Sequence, residues 1–186
     1  MKDRVSKRVP RYVALLRGIN VGGKNMLPMK LLAEIFATTG CTDVTTYIQS
    51  GNVVFCAGDK IAKGLGEVIT KQVEKQFGLK VPVVIRSAAE LNAVIRGNPF
   101  LTAGAAEEML HVLFLADRPS ADLVAGLDPA RSAPDEYVVV GRDIYAKLVT
   151  GAAKTKLTNA YFDSKLKTVS TMRNWRTVLK LAEMMA

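Results

Sequence analysis

Two runs of β-branched and aromatic residues, Val44–Ile48 and Asn52–Cys56, are separated only by Gln49-Ser50-Gly51. Three polar, turn-forming residues between two such runs predict a β-hairpin, and a hairpin commits its strands to antiparallel pairing. The same signal recurs later, where Tyr137–Val140 and Ile144–Leu148 flank Gly141-Arg142-Asp143. Two hairpins within 186 residues argue against a purely parallel, doubly wound sheet and set the frame for the remaining elements.

Around the first hairpin the order is explicit. Tyr12–Leu16 is a continuous apolar run that fits a buried strand. Pro28 suits the first turn of a helix whose Leu31, Leu32, Ile35 and Phe36 recur at helical spacing, and Gly40 suits its end. Asp59 is expected to cap one long helix with Ile61, Leu65, Val68, Ile69, Val73 and Phe77 on its apolar face and Gly78 at its end. Val81–Ile85 reads as a strand that Pro82 places at an edge, and Ser87 caps a short helix to about Ile95. The second half repeats this order more loosely. Leu110–Leu115 is a strand, Ser120–Gly126 a short helix, and Lys156–Leu166 a helix. The last strand is expected to be missing or reduced to Thr168–Val169. A final helix is expected from about Arg173 to Met185, capped by Thr171. The fold class is therefore α+β: duplicated ferredoxin-like (βαββαβ) units with mainly antiparallel sheets and a C-terminal helix. The expected division is a flexible basic tail over 1–9, a first unit over 10–96, a linker over 97–108 and a second unit over 109–186.

The formal net charge is +9, distributed unevenly. Residues 1–96 carry 15 basic and 7 acidic side chains, residues 97–141 carry 2 and 7, and residues 142–186 carry 9 and 3. A basic balance favours anionic partners, nucleic acid or nucleotide among them. Cys41 and Cys56 are the only cysteines and His111 the only histidine. That set supports neither a disulfide framework nor zinc chemistry, and no cofactor or metal is expected. His111 opens a strand and has no nucleophile-elbow motif to serve. No apolar stretch approaches the ~18 residues of a membrane span, and the N-terminus lacks the apolar core of a signal peptide. The expected location is cytoplasmic, with no membrane partner.

Three polar clusters are candidate sites. The first is Arg17–Asn25, RGINVGGKN, between a strand and a helix. Gly18, Gly22 and Gly23 let a ligand approach the backbone, while Arg17, Asn20, Lys24 and Asn25 supply donors, a composition suited to an anion. The spacing Gly18-x-x-x-x-Gly23-Lys24 approaches a P-loop, but Asn25 stands where a magnesium-binding Ser or Thr belongs and Pro28 delays the helix. The second cluster is Gln49, Ser50, Gly51 and Asn52. The end of the first strand and the start of the third are expected at opposite ends of an antiparallel pair, so these clusters need not meet. The third is Thr171–Thr177 with Lys180, where Arg173, Thr177 and Lys180 share a basic helix face at i, i+4 and i+7 spacing and Arg173 and Asn174 are candidate ligand-binding residues. Trp175, the only tryptophan, is expected to anchor the core.

The motifs LLRGINVGGKN at 15–25, TYIQSGNVVF at 46–55, NPF at 98–100 and TMRNWRTVLKL at 171–181 together resemble the family known as domain of unknown function 1697, a widespread bacterial group. The resemblance covers nearly the whole chain and implies two ferredoxin-like units. It implies no activity, substrate or cofactor. Three functional readings remain open: binding of a phosphate-bearing ligand, catalysis on a small anionic substrate with Arg17, Lys24, Asn52 and Arg173 as clamps, and an oligomeric assembly module.

Overall fold

The computed structural model describes residues 9–186. All but one residue of the expected basic tail, residues 1–8, lie outside the described residues. The chain runs β1 (Arg11–Leu16), α1 (Met29–Thr38), β2 (Thr42–Tyr47), β3 (Asn52–Cys56), α2 (Asp59–Ala62), α3 (Leu65–Phe77), β4 (Val83–Ser87) and α4 (Ala88–Arg96). It continues through α5 (Pro99–Thr102) within the expected linker and a 3₁₀ turn (Glu107–Met109) that runs one residue past its end. The second unit contains β5 (Leu110–Leu115), α6 (Ala121–Ala125), β6 (Glu136–Val140), β7 (Asp143–Lys147), α7 (Asn159–Leu166), β8 (Ser170–Asn174) and α8 (Trp175–Met184).

The strands form two four-stranded antiparallel sheets, ordered β2-β3-β1-β4 and β6-β7-β5-β8. The second order repeats the first with each strand replaced by its counterpart, so the chain is a duplication. Each sheet buries both faces. Along β1, Ala14 and Leu16 enter a core under α1 and α3, while Val13 and Leu15 enter a second core. Burial on both faces is why Tyr12–Leu16 of β1 and Val112–Leu115 of β5 read as continuous apolar runs. The second core joins the units: β1, β3, β4 and α4 contribute Val13, Val54, Val84 and Leu91, and β5 and α8 contribute Val112, Phe114, Trp175 and Val178. A third core lies under α7, around Phe162. Trp175 is only 1% exposed, which agrees with its expected anchoring role.

Three expected elements change. Gly64, with φ +86, interrupts the long helix, giving α2 and α3, and Asp59 accepts from the Tyr12 hydroxyl while Gly58 occupies the N-cap of α2. The last strand is full length: β8 covers Ser170–Asn174 and pairs with β5 from Leu115↔Ser170 to His111↔Asn174. Consequently Thr171 and Arg173 are strand residues, and Asn174 caps α8 by accepting from Thr177 N–H at 2.8 Å. Arg173 does not share a helix face with Thr177 and Lys180. Cys41 and Cys56 are buried free thiols.

Candidate functional site

Arg173 crosses from β8 into the first unit. Its Nε donates to Asn52 Oδ1 at 2.6 Å, and its Nη2 donates to the carbonyls of Leu16, Ser50 and Gly51. Nη1 donates to Thr171 Oγ1 and Met172 O. The guanidinium thus has every donor engaged, and no carboxylate accepts from it among the described residues. Burial pushes its pKa down to about 10, which still leaves it protonated at neutral pH.

Arg86 is its counterpart on β4. It donates to Asp143 from Nε at 3.3 Å and Nη2 at 3.0 Å, and to the carbonyls of Leu115 and Arg142 at 2.8 Å. The equivalence is residue by residue. Arg86 lies opposite Val13 and Arg173 opposite Val112. Leu16 N–H donates to Gly51 O and Leu115 N–H to Arg142 O, both at 2.8 Å. Each half therefore inserts one arginine into the other half's hairpin. Burial pulls Arg86 down and pushes Asp143 up, each outweighing the opposing effect of the pairing.

The surroundings of the two arginines differ in sign. Near Arg86 stand Arg142 and three carboxylates, Asp143, Asp117 and Glu90. Glu90 accepts from Ser87 N–H and Oγ, completing a capping box on α4, and from Arg142. Near Arg173 the corresponding positions are neutral: Asn52 for Asp143, Gly18 for Asp117 and Thr177 for Glu90. Arg17 replaces Ala116, and each donates its backbone N–H to the other partner of its turn, Pro82 O and Val169 O. Arg17 Nη1 reaches Asp163 Oδ2 at 2.5 Å and Ser170 O at 2.9 Å. Arg17 and Arg173 thus face Asp163 alone here, whereas Asp143, Asp117 and Glu90 stand around Arg86 and Arg142 in the twin, whose pocket Asp59, Glu67 and Lys63 also line.

A cleft of about 370 Å³ opens beside Arg173. Arg17, Gly18, Ile19 and Val21 line it from the first loop, Ile48 and Ser50 from the hairpin, and Thr171–Asn174 and Thr177 from β8 and α8. The three polar clusters therefore meet, contrary to the sequence expectation. Antiparallel strands put the end of one beside the start of its partner, and Leu15 indeed pairs with Asn52.

Other candidate residues shape this wall from behind. Asn20 braces the loop, accepting from Leu27 N–H and donating to Leu27 O and Gln49 O. Asn25 Nδ2 donates to Gly18 O. Gly22 and Gly23 turn an exposed finger through positive φ, with Val21 and Lys24 bridged across it. Lys24 is exposed and makes no side-chain hydrogen bond among the described residues, but it does not line the cleft. Asn52 holds Arg173 and also donates to Ser50 Oγ. Ile48 is 51% exposed at φ +48, an unfavourable conformation for a β-branched side chain. Sequence reading missed Arg86, Asp143 and the role of position 177. The available signal was a charged Arg86 two residues on from Val84 and so on the same core-facing side of the strand.

The architecture and its paired arginines define a duplicated ferredoxin-like α+β protein with a cationic cleft at one of the two arginine junctions between its units. The chain belongs to the family of proteins of unknown function DUF1697, whose model matches residues 9–145. It is similar in structure to a conserved bacterial protein, SP0830 from Streptococcus pneumoniae, with a TM-score of 0.69 and 25% sequence identity, covering 96% of this chain and 99% of that one. No curated protein matches the sequence. Among the described residues, no helix is long and apolar enough to cross a membrane, and no group of three or more His, Cys, Asp or Glu could hold a metal ion.

Proposed function

We propose that the protein is a cytoplasmic binding protein for a phosphate-bearing ligand of nucleotide size, seated in the cleft between the first loop and α8. The observation that carries this reading is the sign difference between the halves. Arg173 is buried without a carboxylate where its twin Arg86 is neutralised by Asp143. A buried cation in a partly desolvated cleft attracts an anion more strongly than an exposed one.

The volume suits a small ligand better than a nucleic-acid strand. No aromatic side chain lines the cleft, so it offers no stacking platform for single-stranded bases. Val21 and Ile48 supply an apolar rim for the uncharged part of the ligand. The lining groups position and neutralise; none is a general base, so the reading is of binding.

The test is thermal stabilisation of the full chain by nucleotides, phosphorylated metabolites and oligonucleotides, compared with Arg17→Ala. The expected result is stabilisation by small phosphorylated compounds, reduced in the variant and weakened by salt. Stabilisation only by oligonucleotides would point to nucleic acid, and no response to any compound would remove the reading.

A further inference from the structure

We infer that the anionic group of this ligand is a terminal phosphate monoester seated on the first turn of α8, where the Thr177 hydroxyl receives it. The inference rests on the proposed cleft and specifies its chemistry.

The twin half marks the position. At α4, the Glu90 carboxylate turns back onto its own helix start, accepting from Ser87 and from Arg142. The chain thus supplies an anion of its own at that helix terminus. At α8 the cap is Asn174, and three residues on stands Thr177, which cannot supply a charge. The corresponding anion is absent from the sequence, while the buried arginine behind it is retained.

Thr177 provides the independent observation. It is only 6% exposed, it lines the cleft, and its hydroxyl has no partner among the described residues. The oxygen is not sealed in the core but keeps access to the cleft, so its unpaired hydroxyl can donate to an oxyanion seated there. The helix adds donors. Thr177 N–H is held by Asn174 Oδ1, but the N–H groups of Trp175 and Arg176 precede the first intrahelical bond. Those groups and the helix dipole favour negative charge at that point. Arg173 cannot donate to the ligand because its N–H groups are engaged, so it acts through its charge. Arg17 donates from Nη1 to Asp163 and Ser170, and its Nε and Nη2 have no partner among the described residues. A terminal phosphate exposes three oxygens to this converging set, whereas an internal phosphodiester exposes two and must thread its chain through both sides of the cleft.

The decisive variant is Thr177→Glu, which copies the twin's arrangement. It should fold at least as well as the wild type, because Asn174 and the new carboxylate can form a capping box. Binding of inorganic phosphate and nucleoside monophosphates, read by calorimetry, should weaken by about a hundredfold through like-charge repulsion. Thr177→Val, which keeps the shape and removes the hydroxyl, should weaken it about tenfold. Nucleosides and oligonucleotides without terminal phosphate should bind poorly to all three proteins. If folded Thr177→Glu binds monophosphates as the wild type does while Arg17→Ala does not, the cleft reading stands and the α8 seat is wrong. If the wild type binds none of these compounds, both are wrong.

Discussion

Arg173 donates to Asn52 Oδ1 at 2.6 Å across 121 residues of sequence, tying the last strand of the chain to the first hairpin. The mirrored contact between Arg86 and Asp143 ties the second hairpin to the first unit. Removing either arginine should leave several carbonyls unpartnered, and Arg86→Ala should also strand the partly buried Asp143 carboxylate. Each substitution should lower unfolding free energy by about 3–5 kcal/mol in urea titrations. A loss below about 1 kcal/mol for both would show that the clamps do not hold the units together.

Asn52→Asp copies the residue at 143 and gives Arg173 a countercharge. The variant should fold, because Arg86 already tolerates that arrangement. Its affinity for phosphorylated ligands should fall about tenfold, or 1.4 kcal/mol, as the positive field of the cleft is cancelled. Unchanged affinity would dissociate the buried arginine from ligand binding.

Ile48 holds a left-handed conformation at φ +48 with half of its surface exposed. Asparagine tolerates that conformation better, so Ile48→Asn should raise stability by about 1 kcal/mol. The same change should weaken ligands with an apolar moiety more than it weakens inorganic phosphate. A stability loss, or an equal effect on both ligand types, would contradict a strained contact residue on the rim.

Asp135 accepts from Ser132 Oγ at 2.9 Å, Thr150 N–H at 2.8 Å and Thr150 Oγ1 at 2.7 Å. Burial raises its pKa, but these hydrogen bonds outweigh burial and hold it below its ordinary 3.8. A depressed carboxyl contributes stability that is present above its unfolded pKa and lost as pH falls through its folded pKa. Wild-type stability should therefore decline on acidification below about pH 4. Asp135→Asn should be less stable at pH 7 and show a smaller acid-dependent loss. Parallel pH profiles for the two proteins would rule out this carboxylate as a contributor.

The hairpins made the sheet order legible, since Gln49-Ser50-Gly51 and Gly141-Arg142-Asp143 fix two antiparallel pairs locally. The cap at Ser87 was equally visible because capping chemistry is local. The strand Ser170–Asn174 was not. Its sequence, STMRN, carries little strand signal, and pairing with β5 imposes the conformation. That error also misplaced Arg173 onto a helix face. The loop at Arg17–Asn25 was recognisable as unusual, but its composition did not distinguish Asn20, which braces the turn, from Arg17, which reaches the cleft. Thr177 could be found only by aligning Asn174-x-x-Thr177 against Ser87-x-x-Glu90, and that alignment required the register of both sheets.

The core shared by both units has a consequence for how the chain can be divided. Val13, Leu15, Val112, Phe114, Trp175 and Val178 solvate one another, so either half alone would present a wide apolar face to water. The segment joining the halves keeps each at an effective concentration of order millimolar for the other. A cut near exposed Gly104 would turn this docking into a bimolecular reaction. The severed halves would then recombine in trans with dilution-sensitive stability, and the cleft would exist only in the reassembled pair.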